Sequence, residues 1–145
     1  MHKTVMILFS GAAATVLLAA SPAHAETMTF KAQLTAASEV PPTTSKGTGS
    51  IEATYNTANK RLSWEGTVNG LTGDATAAHF HGPAEPGKNA GVLIPVPNVK
   101  SGPFQGSTTL NDDQAKALTA GRTYFNVHTQ ANPGGEIRGQ VTKAM

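Results

Sequence analysis

The chain has 145 residues, with eleven Lys and Arg against nine Asp and Glu, five His and no Cys. The absence of cysteine excludes a disulfide framework, a thiolate metal ligand and a thiol nucleophile. Charge is nearly balanced, without a basic run or an acidic tail, so nothing in the composition points to nucleic acid as a partner.

The first residues read as an export signal. Lys3 supplies a positive start, Val5 to Ala20 is an apolar stretch, and Ala23-His24-Ala25 fits the small-x-small cleavage rule. The apolar run is short for a membrane span and ends in a cleavage motif, so cleavage after Ala25 is expected rather than a retained anchor. Removing 25 of the 145 residues leaves 120, Glu26 to Met145, which suits one domain. Setting Lys3 aside leaves ten Lys and Arg against nine Asp and Glu. The expected location is exported, periplasmic or secreted, with no membrane contact after cleavage.

The mature region reads as mostly β. Segments rich in β-branched and aromatic residues alternate with Gly, Pro, Asn and Asp clusters. Strands are expected at Thr27 to Leu34, Gly49 to Tyr55, Arg61 to Val68, Ala75 to His81, Val92 to Pro95, Phe104 to Leu110, Arg122 to Thr129 and Glu136 to Thr142. Turn signals separate them, among them Asn69-Gly70, Gly82-Pro83 and Asn132-Pro133-Gly134-Gly135. One short helix is expected after Asn111, which can cap it. Asp112 and Asp113 suit its positive end, Gln114 holds the capping-box position and Gly121 can terminate it. Leu110 and Leu118 would plug one end of the core.

Alternation along the strands identifies that core. Leu62, Trp64 and Val68 share a face, as do Ile51 and Tyr55, Phe125 and Val127, and Ile137 and Val141. Trp64, Tyr55 and Phe30 are expected in the core rather than on a stacking surface. Eight short strands with little helix imply an all-β antiparallel sandwich or flattened barrel.

Past the leader only three histidines remain: His79, His81 and His128. His79 and His81 are two apart on an expected strand and therefore share a face. The pleat puts Phe80, Phe125 and Val127 inward, and all three imidazoles outward with Tyr124 and Asn126. If His128 lies on a neighbouring strand at the same height, three imidazoles converge as Cu and Zn sites require. The competing reading is three unrelated surface histidines. Binding should weaken below about pH 6, because imidazolium cannot ligate.

Three motifs carry a family resemblance: Thr76-Ala77-Ala78-His79-Phe80-His81-Gly82-Pro83-Ala84, then Leu118 to Thr129, then Pro133 to Val141. With Phe30 to Leu34 and Glu39-Val40-Pro41-Pro42 they resemble the CHRD domain, first described in chordin and also found in exported bacterial proteins. In chordin the repeated domains belong to an extracellular protein that binds bone morphogenetic proteins. The bacterial type carries over no settled activity, so the resemblance implies fold more than function.

A more distant resemblance is to copper–zinc superoxide dismutases. Their His-x-His strand looks like His79-Phe80-His81. Their later Gly-Arg-Thr-x-x-Val-His-like strand looks like Gly121-Arg122-Thr123-Tyr124-Phe125-Asn126-Val127-His128, with one extra residue here. That likeness implies a Greek-key immunoglobulin-like or dismutase-like sandwich of about eight strands with one short helix. It also matches His79, His81 and His128 to copper ligands. No further His remains for that family's bridging and zinc ligands, and its disulfide is absent, which argues against full dismutase activity. Arg138 is a loose match to a residue that guides an anionic substrate.

Asn126, Glu136 and Arg138 are candidate supporting residues. Glu136 or Asn126 could accept a hydrogen bond from a ligand histidine and fix its tautomer. Glu136 and Arg138, two apart, would otherwise form a surface ion pair worth at most about 1 kcal/mol. Glu85, just after the His-x-His turn, is a candidate carboxylate ligand by proximity alone. No catalytic residue is assigned: there is no Gly-x-Ser-x-Gly elbow, and the loop from Gly82 to Gly87 lacks the Gly-Lys-Ser/Thr ending of a phosphate cradle. The leading expectation is an exported CHRD-domain binding module with a three-histidine, copper-type site, zinc being the alternative ion. The other readings are a metal-free extracellular structural or protein-interaction domain, whose partner would be an extracellular protein, and a dismutase-like redox enzyme.

Overall fold

A computed structural model describes residues 24–145. The expected leader, 1–25, falls outside the described residues except for its last two. Eight strands form: β1 (Thr27–Thr35), β2 (Thr48–Asn56), β3 (Arg61–Asn69), β4 (Ala75–His81), β5 (Val92–Pro95), β6 (Gly102–Thr109), β7 (Thr123–Thr129) and β8 (Ile137–Lys143). One α-helix, α1 (Asp112–Thr119), lies between β6 and β7, and a 3-10 turn at Ala36–Ser38 follows β1. Every expected strand is present, with ends moved by at most two residues.

The strands pair antiparallel in one sheet, in the order β5-β4-β7-β8-β1-β2-β3-β6. The sheet is curled into a half-barrel, so strands distant in that order meet across the core. Trp64 of β3 lies edge-on to Phe80 of β4 at 5.8 Å, and Phe104 of β6 stacks on Phe125 of β7 at 5.9 Å. Phe30, Leu34, Leu62, Val68, Phe80, Phe125, Val127, Ile137 and Val141 fill the interior. Each such side chain contributes about 1.5–3 kcal/mol by leaving water. Tyr55 and Trp64 are buried with them, as their alternation requires.

Two details show how the sequence closes this core. Trp64 faces Gly106, and Phe104 faces Gly66, across the β3–β6 ladder. A Cβ on either glycine would strike the facing ring, so the missing side chains make room for the aromatics. At the end of the barrel Asn111 caps α1 through Oδ1 to the Gln114 amide, and Gln114 returns the bond to the Asn111 amide. Gly121, at φ +70°, ends the helix, and Leu110 and Leu118 are buried beneath it.

Candidate metal centre

The outer face of β4 and β7 carries the three histidines. β4 presents Ala77, His79 and His81, and β7 sets His128, Asn126 and Tyr124 directly opposite them in that order. β8 continues the rows, with Arg138 beside Asn126 and Gln140 beside Tyr124. The pleat therefore places the imidazoles opposite Phe80, Phe125 and Val127, as alternation requires.

That outer face is not open to solvent, which corrects the expectation of a solvent-side site. His81 is only 7% exposed, and Tyr124, Asn126 and Arg138 are buried as well. Three loops cover them. The β4–β5 loop bonds down through the Ala90 carbonyl, which accepts from Tyr124 Oη at 3.1 Å. The β1–β2 loop is tied to it by Asn89 Nδ2 donating to the Val40 carbonyl at 2.9 Å. The β7–β8 turn brings Pro133 and Gly135 against His128 and Asn126. His79 and His128 stay half-buried at the rim.

Ligand atoms from His79, His81 and His128 all lie within 4.8 Å of one another, and among the described residues no other His, Asp or Glu joins them. His128 is on the adjacent strand, which is the condition convergence needs. Backbone carbonyls fix two of the rings. His81 Nδ1 is 3.0 Å from the Ala90 carbonyl and His128 Nδ1 is 2.9 Å from the Pro133 carbonyl. A carbonyl oxygen can only accept, so both Nδ1 atoms carry the proton and each neutral ring keeps its Nε2 lone pair. His79 Nδ1 lies 3.1 Å from His128 Nε2 and, facing an acceptor, donates to it.

Electrostatics favour the neutral form of His79 and His81. Burial lowers the His79 pKa, with repulsion from His128 and His81 adding to it. Burial also lowers that of His81, against an opposing hydrogen bond to Ala90. A neutral imidazole is the ligating form.

The supporting residues fall in two groups. Asn126, 2% exposed, reaches both His81 and the carboxyl group of Glu39. Glu39, in the β1–β2 loop, is buried; burial pushes its pKa up to about 7, against opposing pulls from Arg138 and from the Asn126 hydrogen bond. Arg138 donates to Asn89 Oδ1 at 2.8 Å and to the Lys88 carbonyl at 2.5 Å. Its guanidinium sits 3.4 Å over the Tyr124 ring, and that ring stacks flat on His81 at 4.9 Å. Arg138 is therefore enclosed rather than set at the rim.

Glu136 belongs to a different cluster. Its carboxylate accepts from Ser45 Oγ at 2.6 Å, the Thr72 amide at 2.8 Å, Thr72 Oγ1 at 2.6 Å, Thr129 Oγ1 at 2.5 Å and Asn132 Nδ2 at 3.2 Å. It is wholly buried, and none of these partners is a histidine. Among the described residues the ion pairs join Lys31 with Glu52, Lys60 with Asp112, Arg122 with Glu85, and Lys143 with Glu26. The expected surface pair of Glu136 with Arg138 is thus replaced by two separate buried groups. Glu85 turns to Arg122 at 2.9 Å and does not reach the histidines.

Five buried side-chain polar atoms among the described residues have no hydrogen-bond partner. Three of them, His81 Nε2, Asn126 Oδ1 and Glu39 Oε1, belong to this one centre. Each such atom costs about 1–3 kcal/mol, so their concentration in one place is a functional signal.

The model of one family, the CHRD domain, matches residues 30–141. No curated protein and no solved structure matches the chain.

Proposed function

The chain belongs to the CHRD-domain family, and on that footing we propose that it is an exported binding module whose His79, His81 and His128 take up a copper-type ion. The family itself suggests a binding module. The observation that carries the metal reading is the direction of the lone pairs. Carbonyls hold the far nitrogens of His81 and His128, so that Nε2 of His128 meets His79 Nδ1 and Nε2 of His81 is left without a partner. This is the arrangement by which outer hydrogen bonds fix ligand tautomers in metal sites. An ion shared at bonds of about 2 Å needs donors about 3–4 Å apart. The His79–His128 pair already meets that at 3.1 Å, and ligand atoms of all three residues lie within 4.8 Å of one another. Imidazole suits Cu and Zn alike, and raw affinity favours Cu(II).

We read the export signal at residues 1–25 and a Greek-key, dismutase-like arrangement of the curled sheet as parts of the same proposal. A dismutase cycle has less support. Arg138 is buried under the β4–β5 loop, with bonds to Lys88 and Asn89, rather than presented to a substrate at the rim. The metal-free interaction domain has one observation in its favour: His79 and His128 satisfy each other by a hydrogen bond. That bond leaves His81 Nε2 unpaired.

The test is titration of the chain, taken from Glu26 onward, with Cu(II) and with Zn(II), beside a His79→Ala/His81→Ala/His128→Ala variant. The expected result is one equivalent bound by the wild type and none by the variant. Equal uptake by both would overturn the proposal.

A further inference from the structure

Asn126 occupies the middle of the histidine patch. It pairs across the ladder with His79 and is two residues from His128 and from Tyr124, which faces His81. Its amide has two ends in different surroundings. The Nδ2 end meets Glu39: the carboxyl accepts from it, and a Cβ on Gly135 would collide with both groups at once. Gly135, at φ +130°, is what lets the β7–β8 turn close over that pair. With Nδ2 so committed, the amide plane turns Oδ1 the other way, toward His81.

Two lone pairs then face one another in a buried space. Asn126 Oδ1 is an acceptor with no donor, and His81 Nε2 is an acceptor because the proton of that ring is on Nδ1. Neither atom supplies the proton the other lacks. A cation between them satisfies both and recovers the cost of each orphan. We infer that Asn126 is the fourth donor to the ion held by His79, His81 and His128, binding through its amide oxygen. This inference rests on the three-histidine reading. It adds a specificity: an amide oxygen is a harder donor than imidazole and favours the divalent ion, so Asn126 biases the centre toward Cu(II) over Cu(I).

The experiment compares the wild type with Asn126→Leu, a change that keeps the side chain's approximate volume, using Cu(II) and Cu(I) as separate probes under chelator competition. The expected result is a Cu(II) affinity at least about tenfold lower in the variant, a Cu(I) affinity unchanged, and a potential raised by about 59 mV for each tenfold of that difference. The nitrogen hyperfine pattern of three imidazoles should persist in both proteins. In wild-type protein grown with carbonyl-13C asparagine, pulsed electron paramagnetic resonance should detect a 13C coupling to Cu(II), a readout independent of whether the variant folds. Equal loss of both oxidation states, an unchanged Cu(II) affinity, or no 13C coupling would each overturn the inference while leaving the three-histidine site standing. Failure of the wild type to bind either ion would overturn both.

Discussion

Two polar clusters share the β1–β2 and β7–β8 loops, and each contains a buried glutamate. Around Glu136 every oxygen is answered by donors from Ser45, Thr72, Thr129 and Asn132, and its pKa is held at about 2. Burial alone would raise it, and those hydrogen bonds more than reverse that effect. Around Glu39 donors are scarce, one oxygen is unanswered, and burial prevails, at about 7. The difference is one of hydrogen-bond supply at similar burial. A satisfied cluster ties loops together, whereas an unsatisfied one retains acceptors for something else. The unsatisfied cluster is the one that adjoins the three histidines.

Glu136 anchors the satisfied cluster. Its replacement by Ala removes the acceptor of five hydrogen bonds, of which only that from Thr129 is fully buried, so we expect a loss of about 3 kcal/mol, read as a lower urea midpoint. A loss below about 1 kcal/mol would mean that the cluster is not the staple its geometry describes. Gly135→Ala comes next. The new Cβ meets Glu39 and Asn126 at a backbone angle that side chains rarely adopt, and about 1–3 kcal/mol should be lost.

The pH dependence separates the two glutamates by sign. Glu136 has a folded pKa below its ordinary 4.5, so its contribution is complete above 4.5 and is lost as pH falls through about 2. Glu39 has a folded pKa above 4.5, so its contribution is complete below 4.5 and is lost as pH rises through about 7. Glu39→Gln should therefore flatten the fall in stability between pH 4.5 and 7 and leave the acid limb unchanged. Urea midpoints across that range check it, and an identical slope in both proteins would contradict the assignment.

Much of the architecture was legible because alternation and turn chemistry are local. Leu62-x-Trp64, Phe125-x-Val127 and the Asn111–Gln114 capping box each point to the element that forms. The histidine trio was legible for the same reason, since His-x-His on a strand fixes a shared face. Alternation reports which face a side chain takes but not what later covers it. Tyr124, Asn126 and Arg138 read as outward, and they are outward from the core; the Glu39, Lys88–Ala90 and Pro133–Gly135 segments then bury them. Glu39 itself gave no chemical signal beyond a carboxylate in a Val-Pro-Pro loop. Its role depends on contacts made across most of the chain.

Carbonyls hold Nδ1 of His81 and His128, which leaves the Nε2 lone pairs of those two rings for an ion. Long-range 1H–15N correlation of the histidine rings tests it most directly. His81 and His128 in the metal-free protein should carry their protons on Nδ1. One equivalent of Zn(II) should displace the His79 Nδ1 proton to Nε2 of that ring and shift His79 Nδ1, His81 Nε2 and His128 Nε2. Protons on Nε2 of His81 or His128, or ring signals unmoved by the ion, would contradict that arrangement.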